Sequence, residues 1–174
     1  MTEIQAAIGR LQLRKLDGWV EKRREHADRF NKAFAGLPAL RLTIPPAEIY
    51  HSYYKYYMFV RPDMLKSDWS RDRIMEEVSA AGVPCFSGSC SEIYLEKAFE
   101  VFRGEGETSE IASSPLAPRN DSGGGVVPGP GNRLPVAKEL GETSLMLLVH
   151  PTLTEQNIED TISVVKAVVA RATR

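Results

Sequence analysis

Eight consecutive residues, Tyr50-His51-Ser52-Tyr53-Tyr54-Lys55-Tyr56-Tyr57, set five tyrosines around one lysine. Phenol hydroxyls and an ammonium form no proton-transfer set. They are hydrogen-bond donors on a rigid apolar platform, suited to a polyhydroxylated or phosphorylated ligand. Drawn as a strand, the segment puts Tyr54 and Tyr56 on one face with Ser52, and Tyr53, Lys55 and Tyr57 on the other. The pattern equally describes tyrosines half buried at a sheet surface, and the residues alone leave both readings open.

A second candidate is Ser87-Gly88-Ser89-Cys90-Ser91-Glu92, where small residues let backbone amides approach a ligand and hydroxyls add donors. A plain strand-to-helix turn fits it as well. Cys90 is a nucleophile only with a histidine base near it in space, and nothing in the spacing brings His51 or His150 there. Cys85 and Cys90, with no adjacent histidine, fall short of a zinc ligand set and define no disulfide framework. Arg10, Arg14, Arg23, Arg24 and Arg29 read as a solvated or subunit-facing helix surface. His150 precedes Pro151 at the end of a strand pattern, where a packed, hydrogen-bonded imidazole is the simpler reading.

These residues need elements to position them. Thr2 and Gln5 make a capping-box pattern, and Ile4, Ile8, Leu11, Trp19, Phe30 and Phe34 follow at near-helical spacing, predicting a helix over 3–35 that ends on a left-handed Gly36 before Pro38. So long and basic a helix exceeds what one small sheet needs, so part of it is expected to meet something else. Residues 39–45 and 50–60 read as strands, and Ser70 caps a helix carrying Ile74 and Val78 that closes at Gly82. Then come a strand over 83–86, a short helix through Tyr94 and Phe99, a helix over 134–140 ended by Gly141, and a strand over 144–149. Thr154 caps the last helix, whose buried stripe is Ile158, Ile162, Val165 and Val169. This order predicts an α+β fold: helices on a small, mostly antiparallel sheet, residues 1–174 forming one domain. Residues 103–133, rich in Gly, Pro and Ser, read as a flexible insertion and not a phosphate cradle, because no Lys-Ser or Lys-Thr pair follows the glycines.

Composition narrows the function classes. Hydrophobic residues at 43%, charged residues at 26% and a formal charge of -1 describe an ordinary globular chain without the basic excess nucleic acid requires. No apolar run reaches the roughly 20 residues of a membrane span, and no signal-peptide core opens the sequence, so a cytoplasmic setting is expected.

Three segments together carry a resemblance: Met1-Thr2-Glu3-Ile4-Gln5-Ala6-Ala7-Ile8-Gly9 followed by Gln12-Leu13; His51-Ser52-Tyr53-Tyr54-Lys55-Tyr56; and Leu147-Leu148-Val149-His150-Pro151-Thr152-Leu153-Thr154. They resemble the DegT/DnrJ/StrS sugar aminotransferases, fold-type I pyridoxal-phosphate enzymes, in which the first run opens the helix leading from the cofactor domain into the carboxy-terminal small domain. The resemblance implies a small domain of an enzyme that moves an amino group from glutamate or glutamine to a keto nucleotide-sugar or a cyclitol. Family members carry the Schiff-base lysine upstream of the Thr-Glu-x-Gln run, so it implies a catalytic lysine, and most of the cofactor site, outside this chain. On the substrate side it selects Tyr54, Lys55 and Tyr56. As partners it implies the missing amino-terminal cofactor domain and a second copy in a homodimer. The other reading open at this point is a free-standing sugar-nucleotide-binding or regulatory module of the same fold.

Overall fold

The computed structural model describes residues 1–88, 91–99 and 129–174. They fall into two compact units, one of residues 1–88 and 143–174 and one drawn from residues 89–142.

The first unit is built on a 32-residue helix, α1 (Glu3–Phe34). The predicted capping box opens it: Gln5 N–H donates to Thr2 Oγ1 (3.3 Å) and Thr2 N–H to Gln5 Oε1 (2.9 Å), satisfying two donors that a helix start leaves free. Its end differs from expectation. Gly36 does not take a left-handed conformation. Ala35 stays right-handed, and tight turns from Leu37 N–H to the Phe34 carbonyl and from Leu40 N–H to the Leu37 carbonyl lead straight into a strand.

Four short strands follow: β1 (Leu40–Leu42), β2 (Tyr56–Val60), β3 (Cys85–Ser87) and β4 (Ser144–Leu147). All pair antiparallel in the order β1-β2-β4-β3, with Leu40 opposite Val60, Met58 opposite Leu145, and Cys85 opposite Leu147. Helix α2 (Arg71–Ala80) starts on Ser70, whose hydroxyl accepts from Arg73 N–H. It closes at Gly82, where φ is +86°, a conformation only glycine adopts freely. The last helix, α4 (Glu155–Ala172), opens on a Thr154–Asn157 capping box. Tyr56, Met58 and Val60 alternate inward from β2 against Phe30 and Phe34 of α1, Ile74 and Val78 of α2, and Ile158, Val165 and Val169 of α4. This is the predicted α+β layer of helices on an antiparallel sheet.

The predicted strands are longer than those formed: 39–45 shrinks to β1, 83–86 shifts to β3, 144–149 stops at Leu147, and 50–60 does not begin until Tyr56. In the second unit, Tyr94 and Phe99 lie in two separate 3-10 turns, Ile93–Leu95 and Lys97–Phe99. Helix α3 (Pro135–Thr143) runs through Gly141 instead of ending there. Gly141 is needed for closeness: a Cβ there would lie 2.7 Å from Ser91 Oγ. The predicted insertion lies outside the described residues except for its last five, where Gly129 and Asn132 exchange backbone hydrogen bonds across a tight turn.

Gly88 makes a second close approach. Its N–H donates to Ser144 Oγ (3.1 Å), and an added Cβ would sit 2.6 Å from Ser144 Cβ and closer still to the hydroxyl. Gly88→Ala is therefore expected to destabilise the chain by about 1–3 kcal/mol through overpacking. Urea unfolding should show Ser144→Gly restoring part of that loss in the double variant.

Candidate functional site

The tyrosine segment is not a continuous strand, and the predicted sharing of faces does not hold. Tyr53 has φ of +46°, in the left-handed region that costs a non-glycine residue of order 1–2 kcal/mol. Two contacts hold it there: its N–H donates to His51 Nδ1 (3.1 Å), and the two rings meet edge-on with centroids 4.4 Å apart. The reversal turns Tyr53 inward, stacked at 6.4 Å on Tyr56, and leaves Tyr54 73% exposed. Tyr56 is only 1% exposed; its ring lies edge-on to Phe30 and its hydroxyl donates to Asn31 Oδ1 (2.9 Å). Burial pushes that phenol far above its ordinary range, so it stays neutral.

Of the three predicted site residues, the structure thus brings Tyr54 to the surface, leaves Lys55 half-buried with its ammonium 5.6 Å from the Tyr54 ring centroid, and seats Tyr56 in the core. Helix α1 anchors the segment. Arg24 donates from Nη1 to the His51 carbonyl (2.9 Å) and lies 4.5 Å from the Tyr50 ring centroid, while Arg23 stands 5.9 Å from that of Tyr54. No spacing rule announces these contacts, because Arg24 and His51 lie 27 residues apart. They replace the solvated-surface reading for Arg23 and Arg24.

His26 of α1 has no exposed surface and no hydrogen-bond partner for either ring nitrogen. Burial lowers its pKa; the Val149 carbonyl and Glu25 pull the other way, while Lys22 and Arg29 add to the lowering. The carbonyl faces the imidazole electrostatically without reaching hydrogen-bond geometry. Below the unfolded value of about 6.5 the unfolded chain binds the extra proton, so stability is full above that pH and is lost as pH falls through it. The slope is bounded at about 1.4 kcal/mol per pH unit. Urea midpoints at pH 7.5 and 5.5 should converge in His26→Leu relative to the unsubstituted chain.

In the second unit, Glu92 is nearly buried and bonded to Arg133 through both carboxylate oxygens, with the Tyr94 hydroxyl donating to Oε1 (2.7 Å). The Arg133 guanidinium, then the Tyr94 hydroxyl, lowers the Glu92 pKa to about 2 against the opposing effect of burial. Leu134 N–H in turn donates to Tyr94 Oη (2.9 Å), and Ser91 Oγ donates to the Ala137 carbonyl (2.6 Å). Ser91 is thereby committed to tying α3. Ser89 and Cys90 lie outside the described residues. Cys85 is buried in β3 with its thiol pushed up to about 11 by burial, the opposite of an activated nucleophile. His150 is exposed in a turn, its Nδ1 2.7 Å from Thr152 Oγ1. Among the described residues no three His, Cys, Asp or Glu side chains group as a metal site, and no helix is long and apolar enough to cross a membrane.

A pyridoxal-phosphate site needs a lysine at an enclosed pocket with a carboxylate and an anion cradle. The lysines do not fit it: Lys22 and Lys32 pair with Glu25 and Asp28, Lys66 bonds the Arg171 carbonyl, Lys15, Lys97, Lys138 and Lys166 are exposed, and Lys55 lies beside Tyr54. Among the described residues no lysine is set in such a pocket.

The fold is shared with known proteins. Over 99% of its length the chain is 42% identical to an aminotransferase from Psychrobacter cryohalolentis, with a TM-score of 0.75, covering 40% of that chain. It is 25% identical to the aminotransferase TlmJ from Streptoalloteichus hindustanus (TM-score 0.67, 95% and 36% covered). It also shares the fold of Helicobacter pylori PseC, an aminotransferase involved in the biosynthesis of pseudoaminic acid (17% identity, TM-score 0.70, 98% and 38% covered). The chain thus spans about 40% of the length of the first of these, and less of the others. The DegT/DnrJ/EryC1/StrS aminotransferase family matches residues 1–110, and with these likenesses the chain belongs to that family.

Proposed function

We propose that this chain is the carboxy-terminal small domain of a sugar aminotransferase, inactive alone, which presents Tyr54 and Lys55 to a keto nucleotide-sugar or cyclitol in an active site completed by the rest of the enzyme. One observation carries the reading. The only left-handed non-glycine residue among those described, Tyr53, is held in that conformation by His51, and its effect is to expose Tyr54 beside Lys55. Strain kept at one point and spent on displaying a side chain is characteristic of binding sites. Tyr56 supports from below, fixing the segment through Asn31 and Phe30.

Family members are pyridoxal-phosphate enzymes, and the cofactor supplies the amino-group chemistry. In this reading it is held by the missing portion, and this chain orients the sugar and excludes water. The enzyme is expected to be cytoplasmic and homodimeric, with Arg10 and Arg14 of α1 facing the second copy.

The test is a chimera in which this chain replaces the matching part of the Psychrobacter cryohalolentis aminotransferase. The chimera should release 2-oxoglutarate from glutamate when given a keto nucleotide-sugar, and the isolated chain should not. Tyr54→Ala should raise KM for the sugar about tenfold. An inert, correctly folded chimera, or turnover by the isolated chain, would sink the proposal; the first outcome would favour the free-standing binding module.

A further inference from the structure

Helix α1 carries an apolar stripe at alternating spacings of three and four: Leu13, Leu16, Val20, then Ala27, Phe30 and Phe34. The position between Val20 and Ala27 that continues the spacing is Arg23. A residue serving only the core would be apolar there.

The surroundings of Arg23 are equally unusual. Every other cation from residue 20 to the end of α1 is committed: Lys22 to Glu25, Arg24 to the His51 carbonyl, Arg29 to Glu159, and Lys32 to Asp28. Arg23 has no hydrogen bond or ion pair among the described residues; its one contact of this kind is with the Tyr54 ring, 5.9 Å from Cζ. Its Nε is shut away from solvent without a partner. The stem is therefore held by packing while the charge stays unneutralised. Lys55 approaches the same ring at 5.6 Å and also has no acidic partner among the described residues. Two cations beside one exposed aromatic ring lack only an anion.

We propose that Arg23 and Lys55 form, beside Tyr54, a binding site for a phosphate or diphosphate group, with Arg23 the specificity-determining residue. The site rests on the proposed function only for its natural ligand, the diphosphate of a nucleotide-sugar; a planar guanidinium on a fixed stem matches phosphate oxygens in pairs. It favours a phosphorylated sugar over an uncharged cyclitol.

Calorimetric titration of the chain with inorganic pyrophosphate and, separately, with UDP tests the site directly. Both should bind, more weakly as salt is raised. Arg23→Gln and Lys55→Gln should each weaken binding at least fivefold, Arg23→Lys, which keeps the charge but not the paired donors, should retain only part of it, and Lys32→Gln should change nothing. Circular dichroism establishes that each variant is folded, and Lys55→Gln, half-buried and outside the core, decides the matter if Arg23→Gln is not. Absence of binding by both probes, or binding indifferent to both Gln substitutions, overturns the site. Tighter binding of UDP identifies a nucleotide diphosphate as the ligand, and equal binding identifies a simple phosphate site. In the chimera, Arg23→Gln should raise KM for a nucleotide-sugar with kcat unchanged. Turnover with unchanged KM removes the site and leaves the proposed function standing; pyrophosphate binding by the chain with an inert chimera does the reverse.

Discussion

Tyr56→Ala is expected to cost about 3–5 kcal/mol in urea unfolding, whereas Tyr54→Ala, two residues away, should stay within about 0.5 kcal/mol. Tyr56 fills the space between Phe30 and Tyr53 with almost no exposed surface, so truncation loses transfer free energy and leaves a cavity. With domain stabilities of about 5–15 kcal/mol, such a loss is a large fraction of the whole. Tyr56→Phe separates packing from hydrogen bonding: it keeps the ring and removes only the bond to Asn31, a cost of about 0.5–1.5 kcal/mol. Equal losses for Tyr54→Ala and Tyr56→Ala would contradict the division of one residue outside and one within.

That division was not legible from period-two alternation, and the reason is local. Alternation assumes every residue of the segment is extended, and a single left-handed Tyr53 shifts the phase of everything before it. The stabilising His51 contact is made two residues away, yet nothing in the residue types distinguishes it from a strand histidine. What the residues did announce were features whose physics is contained in a few neighbours: the Thr2–Gln5 box, the Ser70 and Thr154 caps, the Gly82 stop, and the inward stripe of Ile158, Val165 and Val169. Glu92 with Arg133, and Arg24 with His51, are partnerships across long stretches of chain, and composition leaves those partners open. Gly141 shows the converse, since a residue that usually stops helices is retained inside one where Ser91 approaches too closely for any side chain.

The first half of α1 supports the largest remaining prediction. From Val20 onward the helix packs on the sheet, but before it Ile4, Ile8, Leu11, Leu13 and Leu16 are exposed, Leu13 by 67%, and Ala6, Gly9, Leu13, Leu16 and Trp19 line an open groove. The stripe that builds the core thus continues beyond it without cover. Exposed contiguous apolar surface of this kind marks an interaction face. In the isolated chain, the double variant Leu13→Asp/Leu16→Asp should change unfolding stability by no more than about 0.5 kcal/mol per site, since neither side chain touches the core. In the chimera with the Psychrobacter cryohalolentis enzyme, each leucine is expected to be covered, so each substitution forfeits about 1.5–3 kcal/mol of burial and adds the desolvation of an unpaired carboxylate. The double variant should then lower the chimera's unfolding midpoint steeply or leave it insoluble. Equal effects in chain and chimera would mean that this half of α1 folds back on its own core, and no effect in either would mean that it remains in water in the complete enzyme.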